Sequence, residues 1–211
     1  MPSDSEFDSA LSTVERFAAD VSGEVVGEVE GESDDGVVVS GFAVDQGGTV
    51  YRVYGSGDWR YFRVEARYEA VAEVAGTLRA SGASPEERER MASLEDLSED
   101  DLERAFEHMR SSWREMSGDE RGGFAAALTR ALAREAVGYS VYDREGVPVG
   151  VEVSRRIYPF DEGFDRRRYD DAVMTVVDVL LPARDHVRRL YDVGRAVQGG
   201  SVDSDVDRAF M

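Results

Sequence analysis

The sequence predicts an α+β fold: an antiparallel meander plus a C-terminal hairpin, packed against N- and C-terminal helices, with an inserted helical hairpin. Three observations predict it. Residues 37–68 alternate apolar and polar side chains between glycine-rich turns. Residues 5–19 and 165–193 place apolar residues three and four apart. Between these parts, Ser98 and Ser117 each open an acidic box of the kind that starts a helix.

The elements follow in order. Phe7, Leu11, Val14, Phe17 and Ala18 form one stripe over 5–19, and Asp4, Glu6 and Asp8 suit the positive end of that helix dipole. Residues 24–30 alternate loosely, 31–36 read as a polar turn, and 37–44 and 49–54 read as strands joined at Gln46-Gly47-Gly48. Gly55-Ser56-Gly57-Asp58 turns the chain into 59–68, with Phe62, Val64, Ala66 and Tyr68 on one face and Tyr61, Arg63, Glu65 and Arg67 on the other. The result is a meander of three or four strands with one wet face. A short helix over 70–79 closes at Gly82. The insertion spans 84–137, with Ser84-Pro85-Glu86-Glu87 as its first cap and helices over 102–116 and 124–137. Leu102, Phe106, Met109 and Trp113 stripe the first, and Phe124, Leu128, Leu132 and Val137 the second. Residues 139–143 and 147–158 flank Arg144-Glu145-Gly146 as a hairpin. A final helix covers 165–193, and Pro182, lacking an N–H, should kink or split it. One domain is expected over 1–197, with a flexible acidic tail over 198–211.

Composition bears on the setting. The 211 residues carry a formal charge of −19. Every cation is Arg, Lys and Asn are absent, and Ile occurs only at Ile157. A chain that is 42% hydrophobic is not a disordered acidic tail. Such a charge argues against nucleic acid and against anionic membranes as partners. It suits molar salt, where the screening length falls to about 3 Å and mutual repulsion is damped. The composition resembles that of a cytoplasmic protein of a salt-in halophilic archaeon, the alternative being simply an acidic interaction protein. With no Cys, disulfides, thiolate nucleophiles and Cys-type zinc sites are excluded. Neither a signal peptide nor a membrane span is visible.

Few residues announce chemistry. His108 and His186 lie on expected helices outside any metal-ligand spacing. The 44 carboxylates are too many to be diagnostic, and Ser33-Asp34-Asp35-Gly36 lacks the spaced ligands of a calcium loop. Without Lys there is no Walker loop, and no G-x-S-x-G elbow occurs. Two candidate binding features remain. Arg155-Arg156 and Arg166-Arg167-Arg168 concentrate positive charge on an acidic chain, either as an anion or partner site or paired with Asp161, Glu162, Asp165, Asp170 and Asp171. Trp59 and Tyr61, beside Arg60 and Arg63, belong to an aromatic hairpin that serves either the core or a protein-binding surface.

The order of helix, meander, helix, two strands and helix over residues 7–193 resembles that of the type III secretion chaperone-like superfamily. The stretches 37–44, 49–54, 59–68 and 147–158 carry that resemblance, and 84–137 departs from it as an insertion. The resemblance implies protein binding, often as a dimer, and no catalytic residues. The expectation is a non-catalytic protein-interaction or chaperone-like module, with a protein partner or homodimer and with no cofactor or metal. Two alternatives stay open: a small carboxylate-dependent enzyme, metal-assisted or using His108 or His186, and a structural component of a larger assembly.

Overall fold

The computed structural model describes residues 2–20, 23–33, 36–81, 97–133 and 136–191. Gly82, the cap at 84–87, the pair Asp34-Asp35 and the tail 198–211 lie outside the described residues. The chain runs α1 (Asp4–Asp20), β1 (Glu24–Glu32), β2 (Val38–Gln46), β3 (Thr49–Gly55), β4 (Phe62–Glu69), α2 (Ala70–Ser81), α3 (Glu99–Glu115), α4 (Gly118–Leu132), β5 (Gly138–Arg144), β6 (Val147–Ile157) and α5 (Arg166–Leu190). The fold is α+β, as expected. The six strands form one antiparallel sheet in the order β1-β2-β3-β4-β6-β5.

Local chemistry sets the joints. Gly47 and Gly48 both have positive φ, as do Glu145 and Gly146, so both two-residue hairpin turns carry the twist that suits antiparallel neighbours. Ser98 and Ser117 each accept from the backbone N–H three residues on, while Asp101 and Glu120 reach back to the cap N–H. Both expected boxes therefore form, and α3 and α4 begin directly at them, three and six residues earlier than the apolar stripes over 102–116 and 124–137 place them. Val137 is a correction: α4 stops at Leu132, and Val137 packs on the approach to β5. Pro182 does not split the final helix: a proline in mid-helix costs about 3 kcal/mol, yet α5 runs on through it. Val176, Val179 and Leu180 before the proline and Ala183 and Val187 after it are all buried, so one apolar stripe holds both halves against the sheet.

The helices cover one face of the sheet. Phe42, Val44, Tyr51, Val53, Phe62, Val64, Ala66, Tyr68, Val151 and Val153 point into a single core shared with the helices. The α5 helix crosses β4 and β6, α4 packs on α5, and α3 packs on α2. Phe7 of α1 meets Phe62 at 5.3 Å between ring centroids. Inside this core, the Tyr51 and Tyr169 hydroxyls hydrogen-bond at 3.1 Å. At the far end of α5, the Tyr191 hydroxyl donates to the Pro148 carbonyl at 2.7 Å.

The opposite face is concave and has no helix over it among the described residues. Small residues crowd it: Gly41 and Ala43 on β2, Gly138 and Ser140 on β5, and Gly150 and Ser154 on β6. Short side chains at these positions leave room for the strands to curl toward this face. Flat, five steps between strands would separate β1 from β5 by about 24 Å. Instead Glu30 and Gly31 of β1 and Gly138, Ser140 and Tyr142 of β5 wall the same cleft of about 540 Å³. Between neighbouring strands the backbone leaves no room at Gly41 of β2, where an added Cβ would stand 2.0 Å from the Val53 carbonyl oxygen of β3. Gly31, on the neighbouring strand, has nothing within 4 Å of that position. Gly41→Ala is therefore expected to lose more than about 2 kcal/mol, and Gly31→Ala no more than about 1 kcal/mol, as read by denaturant unfolding of the two variants side by side.

Candidate functional site

Two adjoining clefts carry the polar chemistry. The first lies at the end of β6, encloses about 740 Å³, and is lined by Arg63, Arg155, Arg156 and Arg168 together with Val137, Tyr158 and Phe164. The second is the concave face of the sheet. Arg63, Gly138 and Ser154 line both.

Strand register builds the first cleft. Gly138 pairs with Ser154, and the paired part of β5 begins there, leaving 155–157 of β6 beyond its reach. Arg155 leaves the covered side of β6 for α5. Its guanidinium donates to Thr175 Oγ1 at 2.6 Å and to the Asp171 carbonyl at 3.1 Å, and meets Asp171 Oδ2 at 2.9 Å. Arg156 stands directly across from Arg63, a like-charge pair that repels. The two guanidinium groups part: Arg156 lies 4.5 Å from the Tyr61 ring centroid, while Arg63 leans toward Tyr54 and Glu65. Tyr61 in turn stacks on Trp59 at 5.0 Å, with ring planes only 10° apart, and takes Tyr158 edge-on. Two binding candidates from the sequence, Arg156 and the Trp59/Tyr61 pair, thus form one cationic and aromatic surface.

The remaining arginines divide. Arg168 is exposed, lines the cleft and makes no ion pair among the described residues. Arg166 turns away to Asp20 and Asp170, tying the start of α5 to the end of α1. Arg167 is exposed, outside both clefts, and unpaired among the described residues. Intramolecular pairing accounts for Arg155 and Arg166 through Asp171, Asp170 and Asp20, whereas Asp161, Glu162 and Asp165 neutralise none of the five.

The second cleft centres on residues that a linear reading passes over. Glu65 sits on the face expected to be wet, yet is only 5% exposed. Tyr54 donates to its Oε2 at 2.5 Å, and the Arg63 guanidinium stands 3.9 Å from the same oxygen. One strand over, Glu152 Oε2 accepts from Arg67 at 2.7 Å and from the Tyr142 hydroxyl. Arg67 also lies 4.8 Å from the Tyr142 ring centroid. Two Tyr–Glu–Arg triads therefore stand side by side. Glu65 pairs with Ser154 and Arg67 with Glu152, so the two carboxylates are diagonal neighbours on adjacent strands, about 7–8 Å apart at the backbone. The alternation Arg63-Val64-Glu65-Ala66-Arg67 is the only linear trace of this arrangement.

His108 and His186 line neither cleft; His186 instead lies against Phe124, 6.4 Å between ring centroids. Among the described residues, no group of three or more His, Asp or Glu side chains is gathered to hold a metal ion, and no helix is long and apolar enough to cross a membrane.

No protein-family model matches the chain, and no curated protein matches it in sequence. One solved structure is similar: an uncharacterized protein from Methanothermobacter thermautotrophicus, with a TM-score of 0.54 and 12% identity, covering 86% of this chain and 99% of that one. At that identity the likeness shows a shared fold and nothing about activity.

The triads have a pH signature. Burial, then the hydrogen bond to Glu152 and its negative charge, push the Tyr142 hydroxyl up to about 12. Burial, then Glu65, raises Tyr54 in the same sense. A folded-state value above the unfolded 10.0 means stability that is full below pH 10 and lost as pH rises through about 12. Melting temperatures by circular dichroism are expected to hold below pH 10 and fall between 10 and 12, with a shallower fall in Tyr142→Phe.

Proposed function

We propose that this chain is a non-catalytic, chaperone-like protein-interaction module of a halophilic archaeal cytoplasm, and that the cleft at the end of β6 receives an acidic segment of its partner. The observation that supports this reading is that Arg156 and Arg168 line one cleft without an ion pair among the described residues, in a chain with net charge −19, while the cleft's Asp171 is taken by Arg155. Long-range attraction is screened in molar salt, so recognition there depends on contact-range chemistry. Arg156 and Arg168 offer forked donors for carboxylates, and Trp59, Tyr61 and Tyr158 offer rigid apolar area beside them.

A second reading, a carboxylate-dependent enzyme, is favoured by one observation: Glu65 and Glu152 converge in a cleft. Each already accepts from a tyrosine and faces an arginine, which speaks for a positioned polar surface over a proton shuttle.

The test is capture in molar KCl with wild-type protein and with Arg156→Gln/Arg168→Gln, both on exposed positions. A specific acidic partner retained by wild type and reduced at least tenfold in the double variant is the expected result. Equal recovery on both, or no partner and no self-association, overturns the reading. The salt setting has its own test. Unfolding midpoints are expected to rise as KCl approaches the molar range; greatest stability in dilute buffer refutes the halophilic assignment.

A further inference from the structure

Across the floor of the concave cleft, one row of directly opposed residues runs Ala43, Arg52, Glu65, Ser154 and Gly138. Its small ends leave the middle three open. Arg52 and Glu65 are opposite charges on facing positions, the usual setting for a cross-strand ion pair. They form none: Arg52 is exposed and makes no hydrogen bond or ion pair among the described residues. Glu65 is nine-tenths buried and commits only Oε2, to Tyr54 and Arg63. Its Oε1 has no protein donor among the described residues and is not sealed from solvent. The Ser154 hydroxyl, next in the row, is likewise uncommitted. The neighbouring cations are taken, since Arg67 is held by Glu152 and Tyr142, and Arg63 by Tyr54 and Glu65.

We propose that this row is a binding site for a small carboxylate bearing a hydrogen-bond donor on the adjacent carbon, the chemistry shared by α-amino and α-hydroxy acids. The carboxylate takes the Arg52 fork, the adjacent ammonium or hydroxyl donates to Glu65 Oε1, and Ser154 closes the third side. Such a ligand gives Oε1 a direct donor in a cleft partly withdrawn from water, while bridging the gap that Arg52 leaves. The charge of the cleft sets the selectivity. Glu30 and Glu32 stand at its wall with Glu65 and Glu152 inside, against one uncommitted arginine. Monocarboxylates are admitted, and phosphate or dicarboxylates are repelled. The site shares Ser154 and Gly138 with the docking cleft but uses neither Arg156 nor Arg168, so the two readings are tested by different variants and either can fail without the other.

Titration calorimetry of the full chain in molar KCl with glycine, glycolate and acetate tests the proposal, because the three differ only at the adjacent carbon. Glycine binding tighter than glycolate identifies the amino-acid source, and the reverse identifies the hydroxy-acid source. In either case acetate, which lacks the donor, binds at least tenfold more weakly, and Arg52→Gln, at an exposed position, loses at least tenfold in affinity. Circular dichroism of Arg52→Gln confirms that it is folded. Absence of heat with both glycine and glycolate, acetate equal to the better of them, or an unaltered Arg52→Gln overturns the assignment.

Discussion

Deep in the core, α5 and the meander meet through a pair of phenols. Tyr169 and Tyr51 are each almost fully buried, and one hydroxyl donates to the other at 3.1 Å. Without its partner, either hydroxyl would be left unpaired where water does not reach. Sequence distance makes the contact informative, since 118 residues separate the two. It fixes where the N-terminal half of α5 lies on the sheet. That placement brings Asp171 and Thr175 within reach of Arg155, and Arg168 to the mouth of the cleft beside it. Phe17, in contact with Tyr169, brings α1 to the same point, and Arg166 fastens the end of α1 from outside.

Covering one face leaves the other to be managed. An uncovered sheet face normally presents solvated side chains. Here the strands curl until that face becomes a trough, and its polar groups are partly withdrawn from water. Buried polar groups are tolerated when they are satisfied together, which is what the two Tyr–Glu–Arg triads accomplish. Each joins groups from neighbouring strands, so they also brace the sheet across its width. The second triad spans β4, β6 and β5. The exposed Val25, Val26 and Val38 at the opposite edge have no such brace.

Much of this architecture was legible in the chain. Alternation over 59–68 assigned Phe62, Val64, Ala66 and Tyr68 to one face, and the structure buries all four. Ser98 and Ser117 marked helix starts because the capping box is a local interaction, complete within four residues. The candidate site was less legible for the converse reason. Glu65 looks like any solvated glutamate until β4 is paired, with Arg52 on one side and Ser154 on the other. Arg156 and Trp59 lie far apart in sequence and meet only through Tyr61. At Pro182 local backbone chemistry argued for a kink or a split, and with burial on both sides of it the helix is not split.

Arg63 belongs to both clefts at once, with its guanidinium between the Tyr54–Glu65 pair and the cationic surface at the end of β6. A side chain with one head and two sites obeys thermodynamic linkage. Any occupant that draws the guanidinium to one side changes the free energy of occupancy on the other by the same amount in each direction. No hinge, subunit rotation or domain closure is needed, since a rotamer change moves charge across the boundary. The concave face and its edge therefore share one cation, and whatever one side takes from Arg63 is lost to the other.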